Sequence, residues 1–282
     1  MLEFFGLLFK PEYTFLTYAW AIGCLASIAF GIIGTYVVTR RITYVAGAIS
    51  HSVLGGIGIA LYLQIQIGWY WCQPMGGAVI FALLAAGIMG LVSLYAKQRE
   101  DTVISAIWAS GMAIGLIFIS QTPGYIEPMS YLFGNILMVS QSDLKLVIGL
   151  DILVIILVLL CYNKFLVVFF DEEFARVKGI SVTTYYLILL VLVAFTIVML
   201  LRVVGIVMVI ALLTLPAAIA NCLVKRLWKV MLVAVVLCMT LVCLGLSLSY
   251  KYDLPSGPVI ISLAAGVYLV TIGVKMLVRR TL

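Results

Sequence analysis

The chain has 282 residues, of which 65% are hydrophobic and only 10% charged, with a formal net charge of +6. Soluble domains carry about 25% charged residues, so a water-soluble globule is excluded and lipid contact is implied. The basic excess forms no stripe with interleaved aromatics, which excludes a nucleic-acid surface and assigns it to membrane-flanking loops.

A helix crosses the hydrocarbon core with about 20 apolar residues. The sequence predicts nine such spans: 14–38, 43–64, 75–96, 102–120, 143–162, 182–201, 203–223, 229–250 and 258–276. Two of them meet at Arg202 with almost no loop, so eight crossings are the alternative count. A short segment, 129–140, is read as entering the membrane without crossing it. The start, MLEFFGLLFKPEY, lacks the pattern of a cleaved signal peptide, so the first span is expected to remain. The expected fold class is an all-α integral membrane protein with a single transmembrane domain over 1–282.

Placing the N-terminus outside puts 13 of the 17 Lys and Arg residues in inside loops. Only Lys10, Lys145, Arg202 and Lys251 then face out. The expected orientation is N-terminus out, C-terminus cytoplasmic. Trp69, Tyr70 and Trp71 then fall at the outer end of the second span, where an aromatic belt belongs.

The longest inside loop, roughly 164–181, reads KFLVVFFDEEFARVKGIS. Acid first, base last and a terminal Gly179 predict a short helix aligned with its dipole. Phe169, Phe170 and Phe174 are expected on one apolar face. Such a helix lies on the membrane surface or docks a cytoplasmic partner.

His51 is the only histidine and falls inside the second span, flanked by Ser50 and Ser52 and one turn after Gly47. An ionisable residue in the bilayer faces a cavity or a partner, and neutral imidazole ligates first-row metals. One histidine makes no complete site, so packing against a neighbour is the competing role. Asp151 is the only acid well inside a span; it either serves a pathway or reaches toward an interface. Gly205 and Pro216 share the stretch RVVGIVMVIALLTLPAAIAN, where a proline-centred bend is expected. The six cysteines form no CxxC pair and read as small buried hydrophobes. The sequence contains no P-loop, HExxH or GxSxG, so ATP binding by a P-loop and those enzyme chemistries are not expected here.

Several segments together resemble the zinc/manganese/iron ABC permeases, the ABC-3 family. YVAGAISHSVLGGIGIAL resembles the family's SHxxLxG region, and SYLFGNILMVSQSDL its LFG segment. FDEEFARVKGISV is similar to its cytoplasmic coupling segment, and VVGIVMVIALLTLPAAIA to its proline-containing helix. YDLPSGPVIISLAA resembles the zinc permeases of Gram-negative bacteria. The segments occur in family order over nearly the whole chain.

The resemblance implies a type II ABC importer permease in the bacterial cytoplasmic membrane. It implies a second permease copy or a related permease, a cytoplasmic ABC ATPase dimer, and a periplasmic or lipoprotein metal-binding protein. The cargo would be a divalent metal, zinc first and then manganese or iron, with no tightly bound cofactor. Glu172, Glu173, Ala175 and Gly179 would meet the ATPase, and His51 would be the intramembrane metal ligand. The family places an Asp where this chain has Gly47; a partner permease, Asp151 or an outside acid would have to replace it, or the site is weak and transient. A siderophore or vitamin permease and an ion-driven carrier are the alternatives.

Overall fold

The computed structural model describes residues 6, 14–95, 100–124, 128–134, 136 and 139–280. All regular structure among the described residues is helical, and nine helices are long and apolar enough to cross a membrane. They are α1 (Thr14–Thr39), α2 (Thr43–Ile65), α3 (Pro74–Tyr95), α4 (Glu100–Gln121), α6 (Gln141–Phe170), α8 (Val182–Val204), α9 (Ile206–Leu223), α10 (Leu227–Tyr252) and α11 (Ser256–Arg280). Two short helices, α5 (Pro128–Phe133) and α7 (Glu172–Val177), complete the set. The predicted segment 129–140 thus contains a helix ending at Phe133, while residues 135, 137 and 138 lie outside the described residues, as does Ala96 of the third span.

Two boundaries differ from expectation. The break expected at Arg202 falls at Gly205, and Arg202 instead occupies the last turn of α8. A cation there complements the carbonyl end of the helix dipole, whereas Gly205 adopts φ 79° and ψ 162°, a region essentially reserved for glycine. The fifth span, expected to end at 162, continues as α6 to Phe170, because NKFLVVFF contains no helix breaker.

The chain divides into two compact units. One gathers Met1–Thr39, Leu132–Ile155 and Met199–Leu282. Within it α1 packs on α9 and α10, and α11 packs on both of those. Ala217 and Ala220 of α9 meet Val230 and Ala234 of α10, where small side chains bring the helices close. The other unit gathers Arg40–Tyr131 and Ile156–Val198. Within it α2 packs against α3 and α4, and its buried residues run from Val45 to Leu61 with few gaps. Close approach explains its glycines: a side chain at Gly56 would strike the Gly77 carbonyl of α3, and one at Gly58 the Gly115 backbone of α4.

Candidate functional site

His51 lies on the buried helix α2 and is 9% exposed. Its ring stacks on Trp108 of α4, with centroids 4.3 Å apart and planes inclined by 16°. Ser50 donates its hydroxyl to the Ala46 carbonyl at 2.9 Å, and Ser52 donates to Ile49 at 2.7 Å. Both flanking hydroxyls are therefore engaged by their own helix. Nδ1 of His51 is buried with no hydrogen-bond partner among the described residues. Stacking covers a face of the imidazole, whereas its nitrogen lone pair lies in the ring plane and points elsewhere.

Trp108 also bears on Gly47. A Cβ at Gly47 would stand 3.0 Å from Cζ3 of that indole. A side chain one turn before His51 would press on that ring, which would have to give by a few tenths of an ångström. A mainly apolar cavity of about 160 Å³ lies nearby, lined in part by Ser52, Phe81, Ile107, Ser110 and Gly111. No ionisable side chain lines it; its polar lining side chains are the hydroxyls of Ser52 and Ser110.

Asp151 lies on α6 in the other unit and is 4% exposed, so its carboxyl is enclosed by protein. It sits beside the Ala29 backbone of α1, and neither oxygen makes a regular hydrogen bond. Among the described residues no three His, Cys, Asp or Glu side chains come together as a metal cluster. His51 belongs to one unit and Asp151 to the other.

Asp143, at the start of α6, pairs with Nε of Arg202 at 3.1 Å and is 8% exposed against 53% for the arginine. Its other oxygen accepts the Ser140 amide at 2.9 Å and the Ser140 hydroxyl at 2.7 Å, an arrangement like a capping box. Next to Arg202, Gly205 passes Gly134, which has φ 63°. A side chain on either glycine would strike the backbone of the other. The proline expected to bend this stretch lies inside α9, which runs through Pro216 as one helix, and a separate break stands at Gly205.

In the predicted coupling segment 164–181, α6 ends at Phe170 and α7 follows at once. Asp171 caps α7 by accepting the Phe174 amide at 2.9 Å. Gly179, at φ 73°, ends it: its amide donates to Arg176 and that of Ile180 to Ala175, the paired bonds of a Schellman motif. Ala175 is buried with Val168 and Val182. Glu172 forms an ion pair with Arg40, whose guanidinium also lies 5.8 Å from the ring centroids of Phe169 and Tyr186. Glu173 is exposed. The three phenylalanines do not share one face: Phe169 packs with the Ala175 cluster, whereas Phe170 and Phe174 are exposed, because the chain turns at Asp171.

Sequence reasoning missed Trp108, the Arg40–Glu172 pair, the Asp143–Arg202 pair and Gly134. Only the spacing Ser140-x-x-Asp143 carried a local signal, as a helix-start pattern.

The sequence profile of the ABC 3 transport family matches residues 12–275. A Chlamydia trachomatis protein named "Probable metal transport system membrane protein" is 41% identical over 251 residues, covering 89% of this chain and 85% of its own. The "Manganese transport system membrane protein MntC" of Listeria monocytogenes is 32% identical over 259 residues, covering 92% and 90%. Among solved structures, PsaBC from Streptococcus pneumoniae in complex with Fab superposes with a TM-score of 0.83 at 28% identity, covering 96% of this chain and 94% of that one. The chain is a multi-pass membrane protein and belongs to the ABC 3 transport family.

Proposed function

We propose that this chain is the membrane-spanning permease of an ATP-driven importer for a divalent first-row metal. The observation that carries the reading is the family match over residues 12–275, reinforced by relatives named for metal and manganese transport. The chain is not itself an enzyme; ATP is hydrolysed by a separate subunit. Manganese is favoured by the Listeria relative's name, and zinc by the YDLPSGP stretch. The siderophore, vitamin and ion-driven alternatives gain no support from these relatives.

His51 is the residue assigned to meet the ion. Support comes from its burial, its unpartnered Nδ1 and the stack that orients it. One imidazole is an incomplete site, so a second permease copy or a related permease supplies further ligands across the path. Water completes the shell of an ion that must also leave. Asp151 is the second candidate, a buried acid without a regular hydrogen bond. The α7 segment meets the ATPase through Glu173, Phe174 and Val177, while Arg40 and Glu172 hold the helix in place. The orientation with α7 and the C-terminus cytoplasmic is supported by the distribution of Lys and Arg. A solute-binding protein delivers metal from the opposite side.

The test is uptake in proteoliposomes holding the permease, its ATPase and its binding protein, with manganese, zinc and iron supplied separately. ATP-dependent accumulation of one of them is expected. ATP-independent flux driven by an ion gradient, or no metal flux at all, contradicts the reading.

A further inference from the structure

Two thiols meet where α1 packs on α10. Sγ of Cys24 and Sγ of Cys243 are 3.8 Å apart, and Trp20 donates its indole N–H to Cys243 Sγ at 3.2 Å. Trp20 and Cys24 stand one turn apart and so share a face of α1. The helices are closely apposed here, since a side chain at Gly23 would strike Val242.

The spacing has a chemical meaning. A tetrahedral d10 cation holds thiolate sulfurs at about 2.3 Å, which places two of them about 3.8 Å from each other. We propose that Cys24 and Cys243 form a two-thiolate site for a thiophilic divalent cation of the zinc and cadmium class. Binding releases one proton from each thiol to water and forms two metal–sulfur bonds, with no change of oxidation state. Two thiolates cancel the charge of the ion, so the bound unit is neutral, as a membrane interior requires. The Trp20 N–H stays on the Cys243 sulfur, an outer-shell donor that fixes its orientation. Water fills the remaining positions, which makes the ion exchangeable.

The bound cation ties α1 to α10. In a transporter whose helices move against each other, such a tie arrests the cycle, so the site makes the chain sensitive to thiophilic ions. The binding claim itself is independent of which metal is carried and of whether metal is carried at all.

The experiment titrates the purified full chain in detergent with cadmium and follows sulfur-to-cadmium charge-transfer absorption. The expected result is saturation at one cadmium per chain. Affinity should fall at least tenfold in C24S and in C243S, fall several-fold in W20F, and stay unchanged in C72S. Absence of a saturable signal, or its persistence in the C24S/C243S double variant, overturns the site. A second measurement needs no variant: cadmium should shield Cys24 and Cys243 of the wild-type chain from maleimide alkylation. Equal alkylation of both with and without cadmium overturns the proposal.

Discussion

The indole of Trp108 lies nearly parallel to the imidazole of His51, 4.3 Å between centroids, and the same ring crowds the space above Gly47. These contacts join three residues into one arrangement. The aromatic ring bears on the backbone at Gly47 and stacks on the His51 imidazole one turn later. An aromatic stack contributes about 0.5–1.5 kcal/mol beyond area burial. Trp108→Ala is therefore expected to lower metal uptake about 2–10-fold by releasing the imidazole, and Trp108→Phe to restore most of it. Uptake by proteoliposomes checks both; equal rates for Trp108→Ala and wild type would remove the orienting role.

Gly47→Asp tests the same arrangement from the other side. The new Cβ would sit 3.0 Å from the indole, so the single substitution is expected to impair folding or uptake. Gly47→Asp with Trp108→Ala should recover folding and uptake to about the level of Trp108→Ala alone, since the double variant relieves the clash but still lacks the stacking ring. Thermal unfolding separates loss of fold from loss of transport. A fully active Gly47→Asp single variant would show that Trp108 does not obstruct a side chain at this position.

The crossing of Gly134 and Gly205 predicts a sharp local intolerance. Alanine at Gly205 combines a steric collision with a glycine-only conformation, which costs about 1–3 kcal/mol for the backbone alone. Gly205→Ala should lower the unfolding temperature and the yield. Gly266→Ala, where an added Cβ meets nothing within 4 Å, should change neither.

Much of this was legible in the sequence, for a physical reason. Lipid demands about 20 apolar residues per crossing, and each of the nine predicted runs became one helix. The Gly179 stop was legible because a Schellman ending needs a positive φ. The break near Arg202 was misplaced because charge is a conspicuous signal in an apolar run, whereas the backbone reason lay three residues on, in Gly205. Trp108 was invisible because its role exists only after α2 and α4 pack, and no local pattern announces it. Arg40 and Glu172 lie 132 residues apart, and their pairing is equally a product of the fold.

Asp143 is expected to matter more than its partner. It holds Arg202 and also takes both Ser140 donors at the start of α6. Asp143→Ala should destabilise by about 1–3 kcal/mol, the range for losing a cap together with a charged hydrogen bond. Arg202→Ala should cost less, because that side chain is half exposed and partly screened. Chemical or thermal unfolding in detergent orders the two; a larger effect at Arg202 would contradict the arrangement.

At α7 the buried and exposed residues should separate in function. Val177 is 86% exposed and Phe174 is exposed beside it, so Phe174→Ala with Val177→Ser should weaken ATPase binding and leave permease stability near wild type. Gly179→Ala, which forces alanine to φ 73°, should cost about 1–2 kcal/mol and reduce transport per ATP hydrolysed. Co-purification with the ATPase and the ratio of metal moved to ATP consumed measure both. Unchanged binding in the exposed-face variant would remove α7 as the docking element.

His51 is the proposed intramembrane ligand of an ATP-driven metal path. The direct measurement is ATP-dependent uptake of manganese, and of zinc in parallel, by proteoliposomes of the complete complex carrying either wild-type chain or His51→Ala. Accumulation is expected with wild type, and a loss of at least tenfold with His51→Ala while the complex still assembles with its ATPase. Wild-type rates from the assembled His51→Ala complex would contradict that role.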